Sequence, residues 1–349
     1  MKSVFKFMVV VVLLAFCRGK DDQCLHSGCP LSAGIKSPEL ENAIHRQLKG
    51  KEMKENILKV MTWNIMNNTD NDGEDSWKNR KADVCKFITE VRPTVLGLQE
   101  VTTNRLQYLV KCLGGYQMIT TKKRNKGLSP NPIFVKRNRR FRVMNAGIFQ
   151  LPTKPNSTQT QSCSWIKLRF AERLKAPGRV KESFRDKMLR LLRQSTNNAK
   201  QRNRHIPKRR RFYVEYRWKD IFIANTQLDA NQTGVAENQI VHVMKHMRQN
   251  KMQRRAYPVI IMGDFGHEQQ TELHQAIKER KWIKNTMITS RKALPALTKI
   301  NLKTLKEERL IDFIGSRKLT ALLSAVLMDA RPNGRPFSDH RPVLTAYVI

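Results

Sequence analysis

Acidic side chains are scarce in this chain: 29 Asp and Glu stand against 66 Lys and Arg, a formal net charge of +37 over 349 residues. That imbalance excludes an acidic or neutral surface overall. It predicts attraction to polyanions, among them nucleic acid, sulfated glycans and anionic lipid surfaces. Long apolar runs are missing too. The longest, Phe7 to Cys17, has 11 residues, well short of the roughly 18 to 20 that cross a bilayer. No transmembrane segment is therefore expected in the mature chain. Preceded by MKSVFK, the run reads as a cleaved signal peptide over residues 1–19, and the protein is expected to be secreted and extracellular. Cysteine is sparse, six in all. Cys17 leaves with the signal, and the remainder is an odd number. Cys24 with Cys29, and Cys85 with Cys112, are candidate disulfides whose connectivity the sequence leaves open. Asn67, Asn156 and Asn231 open N-x-S/T sequons, which fits a glycoprotein of the secretory pathway.

What is present is an alternation of strand and helix patterns, and 40% hydrophobic content is enough for a core. After a Cys-containing leader over residues 20–56, strands are expected at Ile57–Met66, Thr94–Val101, Pro132–Val135, Arg142–Leu151, Ser162–Phe170, Asp220–Asp229, Tyr257–Asp264, Leu310–Ser316 and Pro342–Ile349. Helices are expected at Asn79–Val91, Thr103–Leu113, Asn238–Asn250 and Thr271–Arg280. There apolar residues recur at three and four, as in Ile240, Val243, Met244 and Met247. The mix predicts an α/β sandwich built on mixed sheets over residues 57–349.

A basic insertion interrupts that domain at about 171–211. Arg169 to Arg211 holds 16 Lys and Arg against 3 Asp and Glu. Within it Val180, Phe184, Met188, Leu191 and Leu192 form an apolar stripe at helical period, read first as a surface helix packed on the core and second as a helix for membranes or polyanions. KRRR at Lys208 to Arg211 fits a cleavage site, an import signal or a binding patch.

Polar residues stand at the strand ends: Asn64 in VMTWNIM, Glu100 in VLGLQEV, Asp229 in ANTQLDA, Asp264 in IMGDFG, Asp312 in RLIDFIG, and Asp339 with His340 in FSDHRPV. In this order they resemble the endonuclease/exonuclease/phosphatase superfamily of nucleases, sphingomyelinases and inositol phosphatases. SWKNRK, NPIFVK, SWIKL and SDHRPV are similar to its secreted, bacterial-type branch. The resemblance implies a DNase I-like four-layer α/β/β/α sandwich and hydrolysis of phosphodiesters. It implies Mg²⁺, with Mn²⁺ or Ca²⁺ as alternatives, held on the side of Asn64, Glu100 and Asp339. It also implies a catalytic set of His340, oriented by Asp312, with Asp264 positioning the water.

Three positions depart from the pattern. Gln227 stands where the resemblance implies a phosphate-contacting histidine near Asp229, and glutamine cannot transfer a proton. Gly266 replaces the asparagine of GDFN. Gln161 occupies a position often arginine, and His267 and Glu268 are the neighbouring candidates to substitute. Two readings follow: a secreted, monomeric, Mg²⁺-dependent phosphodiesterase with weakened catalysis, or a non-catalytic pseudoenzyme that binds nucleic acid, sulfated glycans or anionic membranes.

Overall fold

The computed structural model describes residues 34–50, 52, 54–67, 73–119, 131–153, 161–174, 216–249, 257–268, 277 and 282–349. The expected signal, Cys24, Cys29, Asn156, the apolar stripe, KRRR and most of the helix expected at Thr271–Arg280 lie outside them. Among the described residues no helix is long and apolar enough to cross a membrane.

In chain order the principal elements are α1 (Ser37–His45), β1 (Ile57–Asn64), α2 (Trp77–Val91), β2 (Val95–Gln99), α3 (Thr103–Cys112), β3 (Tyr116–Ile119), β4 (Ile133–Lys136), β5 (Phe141–Gln150), β6 (Ser162–Arg173), β7 (Tyr216–Gln227) and α4 (Thr233–Gln249). Then come β8 (Val259–Asp264), β9 (Lys284–Asn285), α5 (Thr286–Thr289), β10 (Lys292–Leu294), β11 (Lys299–Ile300), β12 (Glu307–Arg309), β13 (Asp312–Arg317), β14 (Thr320–Val326) and β15 (Val343–Val348). One sheet has the order β10-β14-β15-β1-β2-β4-β3 and the other β5-β6-β7-β8-β13-β9. Both mix parallel and antiparallel pairs, as in β1 with β2 and β1 with β15.

Alternation along the strands explains the layering. In β1, Leu58 and Val60 join Ile166, Leu168, Ile221 and Ile223 of the other sheet in the central core. The opposite face of β1, Met61 and Trp63, meets α2 and α3 through Val84, Phe87, Ile88, Leu106 and Leu109. On the far side Phe222, Ala224, Val259 and Ile261 pack under Ile240, Val243, Met244 and Met247 of α4. The result is the expected four-layer α/β/β/α sandwich. A disulfide joins Cys85 of α2 to Cys112 at the end of α3, while Cys163 is free and buried.

Local sequence placed most strand ends within a few residues, with informative differences. The stretch read as leader contains α1, whose Leu40 and Ile44 enter the core beside Leu327. β6 runs to Arg173, pairing with Tyr216, so the sheet extends past the expected start of the insertion. Helix α4 begins five residues before its expected start because the Asp229 carboxylate accepts the amides of Asn231 and Gln232 and turns the chain into it. β14 was not foreseen: its run TALLSAV lacks polar alternation, a pattern shared by buried strands and helices.

Candidate active site

Topology brings the polar strand ends together. β1 runs parallel to β2 and β7 parallel to β8, so Asn64, Glu100, Gln227 and Asp264 emerge at one edge of the sandwich. β13 runs antiparallel to β8 and starts there, with Asp312 directly opposite Asp264. β15 runs antiparallel to β1, which puts the preceding Asp339 and His340 at the same edge. A polar seam holds the two sheets together beneath. Gln99 Nε2 donates to Thr62 Oγ1 (3.0 Å) and Asn225 Oδ1 (2.6 Å), and Asn225 Nδ2 donates to the Leu98 carbonyl at 2.9 Å. Gly97 allows this approach, since a Cβ there would lie 2.5 Å from Asn225 Oδ1.

The carboxylates are tied into one network. Asn64 Nδ2 donates to Glu100 Oε1 at 2.8 Å and to Asp264 Oδ2 at 3.0 Å, while its oxygen accepts from the Met66 amide at 2.9 Å. Asn64 thus orients two carboxylates with its nitrogen. Glu100 Oε2 accepts from the Asn67 amide at 2.6 Å. Glu100 and Met66 both have positive φ, 59° and 57°. For side chains other than glycine that costs of order 1 kcal/mol or more each, strain that recurs at functional sites.

His340 is buried, and its Nδ1 donates to Asp312 Oδ2 at 2.9 Å. Asp312 is fixed in turn by its own amide, which donates to Thr298 Oγ1 at 3.2 Å. His340 Nε2 faces Asp264 Oδ2 at 3.9 Å. Ligating atoms of Asp264, Asp312 and His340 lie within 4.8 Å of one another. The direct bond between Nδ1 and Asp312 suits this pair to holding a proton, because a cation between those two atoms would break it. Burial alone would lower the imidazole's proton affinity, but the Asp312, Asp264 and Asp339 carboxylates outweigh it and raise the pKa from 6.5 to about 9. Burial also raises Asp264 from the ordinary carboxylate range.

One residue at this edge was missed in the sequence. Lys299 of β11 bridges to His340 in the backbone, and its Nζ binds Asp339 Oδ2 at 2.5 Å and lies 3.1 Å from His340 Nε2. Two protonated nitrogens facing each other have no acceptor between them, so the ammonium works against the rise that the carboxylates produce in the His340 pKa. No local pattern announces Lys299, one of 66 basic residues on a two-residue strand.

The profile of the endonuclease/exonuclease/phosphatase family matches residues 61–267. The chain belongs to this family. No curated protein matches it in sequence. Solved structures share its fold. The mannosyl-6-phosphatase of Bacteroides thetaiotaomicron VPI-5482 superposes with a TM-score of 0.61 at 18% identity, covering 84% of this chain and 100% of that one. The human Nocturnin catalytic domain with bound sulfate gives 0.54 at 19%, covering 85% and 94%. D. rerio TDP2 complexed with a single-strand DNA product gives 0.55 at 15%, covering 83% and 98%.

Against the family pattern, the departures have distinct local causes. Gln227 reaches into the network, its Nε2 donating to Glu100 Oε1 at 2.9 Å and, more weakly, to Asp264 Oδ2 at 3.4 Å. Gln161 is turned away, its oxygen taken by Gln239 at 2.6 Å. Asp229 spends Oδ1 on the start of α4. His267 binds the Asp229 carbonyl at 2.8 Å and faces Thr233, so no contact brings it to His340 or Asp264 in place of Gln227.

Gly266 is more than a missing asparagine. It has φ of 68°, and a Cβ on it would lie 2.7 Å from Ala230 Cα. Asparagine tolerates the dihedral but not the contact, because Ala230 presents backbone. Gly266→Asn should therefore destabilise the protein by roughly 1–3 kcal/mol, the usual cost of overpacking, and yield no gain in activity by itself. A urea titration with an unchanged midpoint would show that the Ala230 loop yields freely.

Proposed function

We propose that the chain is an exported, metal-dependent phosphodiesterase whose turnover is slowed by Gln227 and Gly266. The observation carrying this reading is the continuous set of contacts from Asp312 through His340 and Asp264 to Asn64 and Glu100. Glu100 and Asp339 offer the carboxylate oxygens that suit a hard divalent ion, Mg²⁺ first and Mn²⁺ or Ca²⁺ as alternatives, with Asn64 holding Glu100 in place. Such an ion, when bound, offsets the charge of the phosphate.

The remaining chemistry belongs to the side chains. Asp312 accepts the Nδ1 proton, so Nε2 is the basic nitrogen of His340. With Nε2 unprotonated and Lys299 Nζ turned away from it, a water bonded to Nε2 and Asp264 Oδ2 is aimed at phosphorus. Its oxygen bonds to phosphorus as its proton passes to Nε2, and the ester P–O bond breaks with its electron pair leaving on the ester oxygen, which takes a proton from solvent. Gln227 can hydrogen-bond the phosphate but cannot protonate a departing oxygen. The phosphate-ester class is supported by the names of two structural neighbours, the phosphatase and the DNA-product complex. Nucleic acid and phospholipid headgroups are the candidate substrates. Export is supported by the Cys85–Cys112 disulfide and by the exposure of the sequon residues Asn67 and Asn231.

A second reading, a non-catalytic polyanion-binding relative, is favoured by Lys299, whose ammonium engages both Asp339 and Nε2. Release from an aryl phosphodiester separates the two. The purified protein should show slow release in Mg²⁺ that EDTA abolishes, and Gln227→His should raise it about 10²-fold by restoring a group that acts in the transition state. Absence of metal-dependent release from both proteins, on DNA, RNA and sphingomyelin too, would favour the non-catalytic reading.

A further inference from the structure

The ribbon formed by β5, β6 and β7 carries an aromatic and cationic cluster that the catalytic reading does not use. Phe222 of β7 lies under α4, whereas Tyr216 and Trp218, on the same face by two-residue alternation, are 47% and 46% exposed. On β5, Val143 packs inward, so Arg142 faces outward, and Met144, at the register shift between Val143 and Asn145, is 46% exposed. Three of the six exposed large apolar side chains among the described residues therefore sit on this ribbon. Cations interleave with them. The Arg142 guanidinium lies over the Trp218 ring at 5.2 Å, and Arg169, paired opposite Arg142, binds Asp220 at 2.7 Å. Single exposed rings are ordinary on a soluble surface, but rings grouped with arginines offer planar faces for bases and charge for phosphates.

We propose that this face is a stacking platform for single-stranded nucleic acid, separate from the active-site edge. Charge complementarity with a chain of net +37 selects a polyanion. The rings select among polyanions. A sulfated glycan has no aromatic bases, and a bilayer would have to bury the Arg142 guanidinium along with the indole it covers. The platform's use as a substrate exosite rests on the phosphodiesterase reading; its binding does not. β7 begins here and ends at Gln227, a span of roughly 36 Å at about 3.3 Å per residue. A stacked strand reaching both places needs about ten nucleotides at roughly 3.4 Å each.

The test is fluorescence anisotropy in EDTA and high salt, where turnover is absent and the counterion contribution is suppressed. A labelled thymidine oligonucleotide of about twelve units is compared with an abasic strand carrying the same phosphates. The wild-type protein should bind the base-bearing strand at least about tenfold more tightly. A Tyr216→Ala/Trp218→Ala double variant with an unchanged melting profile should lose that preference while keeping its affinity for the abasic strand. Equal binding of both strands by the wild type, or a preference surviving in the double variant, would overturn the proposal. Heparin or anionic vesicles depending on these two rings more than the oligonucleotide does would also overturn it. Because no turnover is measured, a failed phosphodiesterase reading leaves this result standing.

Discussion

Replacing His340 with alanine should lower the proposed metal-dependent phosphodiester hydrolysis by roughly 10²- to 10⁴-fold, the range contributed by a positioned acid–base group. The loss should fall on kcat, since the imidazole lies 3.9 Å from Asp264, on the side proposed for the attacking water. Asp312→Asn should reproduce part of it by letting the ring reorient. His340 also makes a pH prediction about the metal-free protein. Its folded pKa of about 9 lies above the ordinary 6.5. A group raised in this way contributes stability that is fully present below pH 6.5 and lost as pH rises through 9. The urea midpoint of the wild type should therefore decline across that window, and that of His340→Ala should be flatter. A wild-type midpoint that stayed level there would mean that Lys299 already keeps the imidazole neutral.

Arg80→Ala should destabilise the protein by roughly 3–5 kcal/mol. Arg80 of α2 is fully buried, and its guanidinium binds four carbonyls: Asp75 at 2.9 Å, Ile65 at 2.6 Å, Met66 at 2.8 Å and Phe337 at 3.2 Å. Burial, the largest influence, lowers its pKa to about 10, still far above neutral, so it remains a cation. Truncation strips donors from buried carbonyls, whose desolvation is then uncompensated. The same contacts clamp the chain after Asn64 to the chain before Asp339, so the variant should also weaken the proposed divalent-metal site. Arg80→Lys keeps the charge without the planar fork and should recover only part of the loss. Chemical denaturation with a change under about 1 kcal/mol for Arg80→Ala would contradict this account.

Much of the candidate site was legible because its polar residues stand at the ends of apolar runs. Asn64, Asp264 and Asp312 each terminate or begin a strand and Glu100 follows one directly, and the structure brings them to one edge with His340. Other residues were legible as types but not as roles. Asp229, read among the polar strand ends, starts a helix with one carboxylate oxygen. Gly266, read as a lost partner, is also the residue that lets Ala230 approach. Those roles depend on what a side chain meets, which no spacing along the chain records.

Alone, the sequence determined the alternation of strands and helices, the basic excess, and the identity and order of the polar strand ends. These are properties of neighbouring residues: periodicity of burial, turn chemistry and summed charge. The tertiary structure decided that Lys299 stands against Asp339 and His340, that Arg80 joins two site-bearing segments, and that Tyr216 and Trp218 share an exposed face with Arg142. Except for the Tyr216 and Trp218 pair, each joins residues far apart in the chain, as Arg80 and Phe337 are, 257 positions apart. Close packing of two sheets sets such distances, and the local pattern carries no information about them.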